Sequence, residues 1–314
     1  MDERLTQVAR ARGGVFTSSM AAALDVDDTA LTRLRRSGEL VRVRRDAYVL
    51  GETWSGATPE QRLTLRTRAV LATRPRDVAS HQAALALHRL PLHGVDLDTV
   101  DVMAAVSRVR LAAGLRTHRR PADLDHVVAD GYRCVGIGLA VAQVLLRSGL
   151  VAAMVPLDAA LHDGRSTLDD VSAALGRVCG SARLRARGDS LLARVDPACE
   201  SVGETRTRLL LQDFGLDVRS QVEVRDDLGD LVGRVDFLVG ERVVVEFDGA
   251  VKYEGPEGRS ALIAEKRRED ALRSLGFVVV RVTWADLAEP ARVMARIRRA
   301  VTQLSARDAG LPAS

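Results

Sequence analysis

Two short, strongly apolar stretches near the end of the chain carry carboxylates where a buried strand should carry none. Val235-Asp236-Phe237-Leu238-Val239 and Val243-Val244-Val245-Glu246-Phe247-Asp248 are joined by a turn at Gly240-Glu241. Runs rich in Val and Phe with Gly at their ends read as the two arms of a hairpin. Period-two alternation puts Glu246 and Asp248 on one face and Val245 and Phe247 on the other. The hairpin brings Asp236 beside Glu246. Carboxylates gathered on apolar strands repel each other and are costly to desolvate. A hard divalent cation, Mg²⁺ or Mn²⁺, offsets that cost. It also activates water and stabilises charge at a scissile phosphate. Asp236, Glu246 and Asp248 are therefore candidate metal ligands and catalytic groups, and Glu204 on the preceding helix is a fourth. The alternative is a set of solubilising edge charges around a structural Gly-Asp turn.

The elements around these acids form an order of their own. A helix is expected from Glu200 to about Phe214, stopped by Gly215. Strands follow at Gln221–Val224, Gly233–Val239 and Val243–Asp248, then a polar helix Ala261–Leu275 stopped by Gly276 and a strand Phe277–Val282. The order α-β-β-β-α-β is the core of a restriction-endonuclease-like fold. The strings GETRTRLLL, GRVDFLVGERVVVEFDGAVKY and EKRREDALRSLGFVVVRVTWADL resemble the Vsr-like (very-short-patch-repair type) nucleases of the PD-(D/E)xK class. The resemblance implies Mg²⁺-dependent cleavage of DNA. It sets the family's helix glutamate on Glu204, its first metal aspartate on Asp236 and its paired positions on Glu246 and Asp248. The usual lysine of the motif is Asp248 here. Lys252, or Lys266, Arg267 or Arg268 on the next helix, is the expected source of the missing positive charge. Of 46 Lys plus Arg only Lys252 and Lys266 are lysines, and both fall beside the acids.

The first fifty residues read as a winged helix-turn-helix. Helices are expected at Asp2–Arg12, Met20–Leu24 and from Asp25-Val26-Asp27-Asp28 to Ser37, with strands at Leu40–Val43 and Ala47–Leu50. Arg33, Arg35 and Arg36 fall on the third helix and Arg42, Arg44 and Arg45 on the wing, where guanidinium forks suit phosphates and guanine edges. The acids at the start of that helix favour its dipole but repel phosphate. GGVFT, LTRLRRSGELVRVRRDAYVL and the later SHQAALALHRLPL resemble the N-terminal domain of AbiEi-type antitoxins, DNA-binding regulators of type IV toxin–antitoxin systems. That resemblance implies DNA, and a cognate toxin, as partners. It leaves open a regulator whose nuclease fold is inert.

Between these ends lies an α/β connector. The whole chain is thus expected to be a multi-domain α/β (α+β) protein: a winged helix over residues 1–55, a connector over 56–195, a nuclease-like domain over 196–300 and a tail over 301–314. Residues 51–60 read as a turn-rich linker. Ser80-His81 reads as a helix cap or a core contact rather than as nucleophile chemistry, because no third partner is placed and neighbouring side chains diverge on a helix. His118, His126 and His162 match no metal-ligand spacing. Cys134, Cys179 and Cys199 read as small buried hydrophobes rather than a disulfide framework or zinc site. No apolar run is long enough to span a bilayer, and the N-terminus MDERLTQVAR lacks an apolar signal core. No membrane partner, a cytoplasmic location and a homodimer are the expectations. The formal net charge of +4 is only mildly basic.

Overall fold

The computed structural model describes the backbone of residues 2–249 and 255–308 and the side chains of residues 2–249 and 263–304. The chain divides into two compact units, residues 1–193 and 194–314.

The first unit opens with α1 (Glu3–Ala11), β1 (Val15–Thr17), α2 (Ser18–Ala22), α3 (Asp28–Arg36), β2 (Leu40–Arg44) and β3 (Ala47–Leu50). Each helix start has a polar cap: Asp2 for α1, Thr17 for α2 and Asp27 for α3, whose carboxylate accepts the Ala30 N–H at 2.7 Å. The strands pair antiparallel in the order β1-β3-β2. Leu5, Phe16, Leu31, Leu34, Leu40 and Tyr48 fill the space between helices and sheet. The winged-helix outline expected from the sequence is thus present, with β1 as a third strand of the wing sheet.

The expected linker at 51–60 is instead folded. It holds α4 (Gly51–Ser55) and the start of α5 (Pro59–Thr73). Thr58 and Gln61 make a capping box, and Pro59 takes the first helical turn, where its missing N–H costs nothing. Leu65 and Ala69 of α5 pack under Val15, Ala47 and Val49, so the winged helix continues into the connector through a shared core.

The connector adds β4 (Val78–Ala79), α6 (His81–Leu87), β5 (Val100–Ala104), β6 (Arg110–Ala112), β7 (Leu115–Arg119), β8 (Val127–Ala129) and β9 (Tyr132–Cys134). The helices α7 (Ile137–Ser148), α8 (Leu150–His162), α9 (Leu168–Val178) and α10 (Ala182–Leu192) follow. Its six-stranded sheet runs β6-β7-β5-β4-β9-β8, with β5 and β7 parallel. All three cysteines are buried and outside any disulfide among the described residues, and burial pushes the Cys134 thiol up to about 11.

The second unit is α11 (Val202–Asp213), β10 (Val218–Arg225), β11 (Leu231–Val239), β12 (Val243–Asp248), α12 (Gly255–Ser274) and β13 (Val278–Thr283). A short 3-10 turn, Asp286–Ala288, and α13 (Pro290–Asp308) complete it. The sheet order is β10-β11-β12-β13, antiparallel except for the parallel pair β12–β13. This is the expected α-β-β-β-α-β succession. The expected tail from 301 is helix through Asp308. Phe237, Val239, Val243, Val245, Val280 and Val282 pack with Leu211 of α11 and with Val293 and Ile297 of α13. On the opposite face Leu238 and Val244 meet Leu272 of α12. A sheet buried on both faces explains the near-continuous valine runs of β12 and β13.

Candidate functional site

The ladder between β11 and β12 pairs Phe237 with Val245, Leu238 with Val244 and Val239 with Val243. Continued by one residue, that register sets Asp236 opposite Glu246. The Asp236 carboxylate accepts the Phe247 N–H at 2.8 Å, which fixes it at this level of the hairpin. Asp236, Glu246 and Asp248 line one cavity of about 320 Å³ with Glu265, Arg268 and Arg281. Asp236 is half-buried, Glu246 buried and Asp248 exposed.

The electrostatics follow from this placement. Burial raises the Asp236 carboxyl to about 6, helped by the charges of Glu204 and Glu246 and opposed by the Phe247 hydrogen bond and by Arg268. Burial likewise raises Glu246 above its usual range, against the pull of Arg268 and Arg281. Four carboxylates, Asp236, Glu246, Asp248 and Glu265, against two guanidiniums in one cavity leave an excess of negative charge that suits a cation.

Of Lys266, Arg267 and Arg268 on α12, Arg268 faces the acids. Its guanidinium lies 2.8 Å from Glu246 Oε1 and donates to the Arg234 carbonyl at 3.1 Å. Its stem crosses Gly233, where a Cβ would come within 2.8 Å of Arg268 Cδ. Lys266 and Arg267 are exposed. Lys252 lies outside the described residues. Arg281 pairs with Glu265 at 2.7 Å and Glu269 at 2.8 Å, so the cavity wall is a charge network. Glu265 and Arg281 were not singled out from sequence. Their signal was a lone arginine among the valines of β13 and acids four apart on α12.

Glu204 does not line the cavity. Its own N–H is bound by Ser201 Oγ, and its carboxylate accepts from the Glu200 N–H, Ser201 Oγ and Gln221 Nε2 at 3.0, 2.8 and 2.9 Å. It acts on Asp236 through its charge while its oxygens are taken up by the start of α11 and by Gln221 of β10.

In the first unit Arg33, Arg35 and Arg36 are exposed on α3, and Leu31 and Leu34 of the same helix are buried. Arg42 and Arg45 on the wing are exposed as well. Arg44 differs: it is only half-exposed, and its guanidinium is depressed first by burial and then by Arg74.

A third constellation keeps the expected cap and core contact at Ser80-His81, since Ser80 is the N-cap of α6 and both residues are buried, but adds partners that lie far off in sequence. Ser80 and His81 do not diverge, since Ser80 Oγ lies 3.0 Å from His81 Nδ1. His81 holds φ of 51° and stacks on His118 with ring centroids 4.3 Å apart. His118 Nε2 is 2.6 Å from Asp101 Oδ1. Burial, then the neighbouring His118, lowers His81 to about 4, which makes it a neutral imidazole at pH 7. No spacing rule exposes a trio at 81, 101 and 118, because the pairing of β5 with β7 and the start of α6 together assemble it.

Residues 3–51 match the family model described as transcriptional regulator, AbiEi antitoxin. The matched segment ends where the wing sheet ends. No curated protein matches the chain. No helix among the described residues is long and apolar enough to cross a membrane.

Proposed function

We propose that the chain is a DNA-binding regulator of the antitoxin type whose second unit is a metal-dependent phosphodiesterase. The observation that carries the first half is the coincidence of the matched segment with α3 and its three exposed arginines. Arg33, Arg35 and Arg36 offer phosphate and base-edge contacts from the helix, and Arg42 and Arg45 offer phosphate contacts from the wing. A cognate toxin is the protein partner that goes with this reading. Footprinting on the DNA upstream of the chain's own gene tests it. Protection that disappears in an Arg33→Ala, Arg36→Ala double variant is the expected result; no binding by the wild type sinks the proposal.

The second half rests on a different observation, the juxtaposition of Asp236 and Glu246 in one cavity with Arg268. All-oxygen donors and under-compensated negative charge fit Mg²⁺ or Mn²⁺. Asp236 and Glu246 would hold the ion, with Asp248 at the open rim. When bound, such an ion supplies polarisation of a phosphodiester and activation of water. Arg268 keeps a fixed positive charge beside Glu246, the role that a lysine at position 248 would fill, and steadies charge on the phosphate. Divalent-dependent nicking of plasmid or single-stranded DNA is expected, and Asp236→Ala with Glu246→Ala should reduce it to background. Wild-type protein that cuts neither substrate in Mg²⁺ or Mn²⁺ leaves an inert nuclease fold on a regulator. That outcome is favoured by one feature, the carboxylate at position 248.

A further inference from the structure

We infer that His81, Asp101 and His118 form a binding site in the first unit for a divalent transition ion of the zinc class. Among the described residues, this is the set of three His, Cys, Asp or Glu side chains whose ligand atoms all lie within 4.8 Å of one another. The donors come from three elements: the first residue of α6, the second of β5 and the fourth of β7. In the parallel β5–β7 ladder Asp101 sits against Arg116, and His118, two residues on, shares its face.

The surroundings orient each donor. Asp101 is fully buried between Val100 and Val102 of an otherwise apolar strand. Gln82 Nε2 donates to its Oδ2 at 2.7 Å, which turns Oδ1 toward His118. Ser80 Oγ engages His81 Nδ1 and leaves Nε2 as the nitrogen for an ion. Partners of this kind fix the tautomer and angle of metal-binding imidazoles. The two rings are stacked within 21° of parallel, with their centroids 4.3 Å apart. His81 keeps a left-handed backbone although it is not glycine, a strain that the surrounding structure must hold in place.

The donor chemistry selects the ion. Two imidazoles and one carboxylate suit Zn²⁺, Co²⁺ or Ni²⁺ and do not suit Mg²⁺ or Ca²⁺, which prefer oxygen alone. Three protein ligands leave a coordination position open. Arg116 and Arg147 stand 3.5 Å from Asp101 Oδ1, at the outer limit of a hydrogen bond. They neutralise part of the carboxylate's charge and compete with an ion, which must also open the His118–Asp101 hydrogen bond. The competing description is therefore an ion-pair cluster that locks β5 and β7 without metal.

Chelator-stripped full-length protein titrated with Zn²⁺, followed by metal analysis after gel filtration, separates the two. The proposal expects one retained Zn²⁺ per chain in the wild type, in the Asp236→Ala, Glu246→Ala variant and in His126→Ala, an exposed histidine outside the cluster. His118→Gln should weaken retention at least about 100-fold, since loss of even an orienting partner costs 10–100-fold. No retention by the wild type, or equal retention by His118→Gln, overturns it. If the circular dichroism of His118→Gln shows misfolding, the Co²⁺ absorption spectrum of the wild type decides. Intense four- or five-coordinate bands support the site, and a weak octahedral, water-like spectrum overturns it.

Discussion

At pH 7 Asp236 is ionised where its surroundings prefer it protonated. Its carboxyl is raised to about 6 from the ordinary 3.8, so between about pH 4 and 6 the folded chain holds a proton there that the unfolded chain has released. Stability is therefore lost as pH rises from about 4 through about 6, and the loss persists above that. Asp236→Asn removes the titration while its amide oxygen still accepts the Phe247 N–H. In the presence of a chelator the variant should be more stable than wild type at pH 8, by roughly 1–2 kcal/mol after discounting for partial exposure. At pH 4 the two should match. Urea unfolding at both pH values measures this, and equal stability at pH 8 would remove the case for a charge-strained site. A divalent ion in the cavity should reverse the order, stabilising wild type and leaving the variant unmoved.

The element that holds this residue in place depends on a single close approach. Gly203, in the first turn of α11, lies against the Phe247 ring of β12, and a Cβ there would meet Phe247 Cε1 at 1.9 Å. Phe247 is itself wedged edge-on against Trp284, with ring centroids 4.9 Å apart, so it has little room to yield. Gly203→Ala should cost about 1–3 kcal/mol of overpacking. It should also displace the backbone N–H that Asp236 accepts, lowering metal-dependent activity more than global stability implies. Thermal melts alongside the cleavage assay check both; an unaltered melting temperature would mean that α11 slides freely on the sheet. The α-β-β-β-α-β order of this unit was legible because its valine runs and the stops at Gly215, Gly240 and Gly276 agree with one another. The strands β4, β6, β8 and β9 were not, since two or three residues carry no period. The stretch 51–60 was misread because Gly51, Gly56 and Pro59 look like turn residues, whereas Pro59 opens α5 and Gly51 opens α4. The cavity acids were readable as local alternation. Arg281 and the His81–Asp101–His118 trio required strand pairings and, for His81, the placement of α6, which only the folded chain makes.

Across the whole molecule a net charge of +4 on 314 residues is too small to drive DNA binding by itself. Any affinity must come from local concentration of arginine, and the exposed set on α3 and the wing is such a concentration. Each guanidinium that neutralises a phosphate contributes about one to the slope of log affinity against log salt concentration. Arg35→Ala and Arg45→Ala should each lower that slope by about one. Arg44→Ala should change it little, because Arg44 is half-buried beside Arg74. The two compact units have separate cores, with Phe16, Leu31 and Tyr48 in one and Phe237, Val245 and Val282 in the other. Substitutions at the two sites should then act independently. Asp236→Ala with Glu246→Ala should leave promoter affinity and its salt slope unchanged. Arg33→Ala with Arg36→Ala should weaken binding without altering cleavage of a saturating single-stranded substrate. Fluorescence anisotropy at several salt concentrations, paired with the cleavage assay, measures all four quantities. If the acidic substitutions change the salt slope, the second unit contributes to the DNA-reading surface, and the division of labour between the units fails.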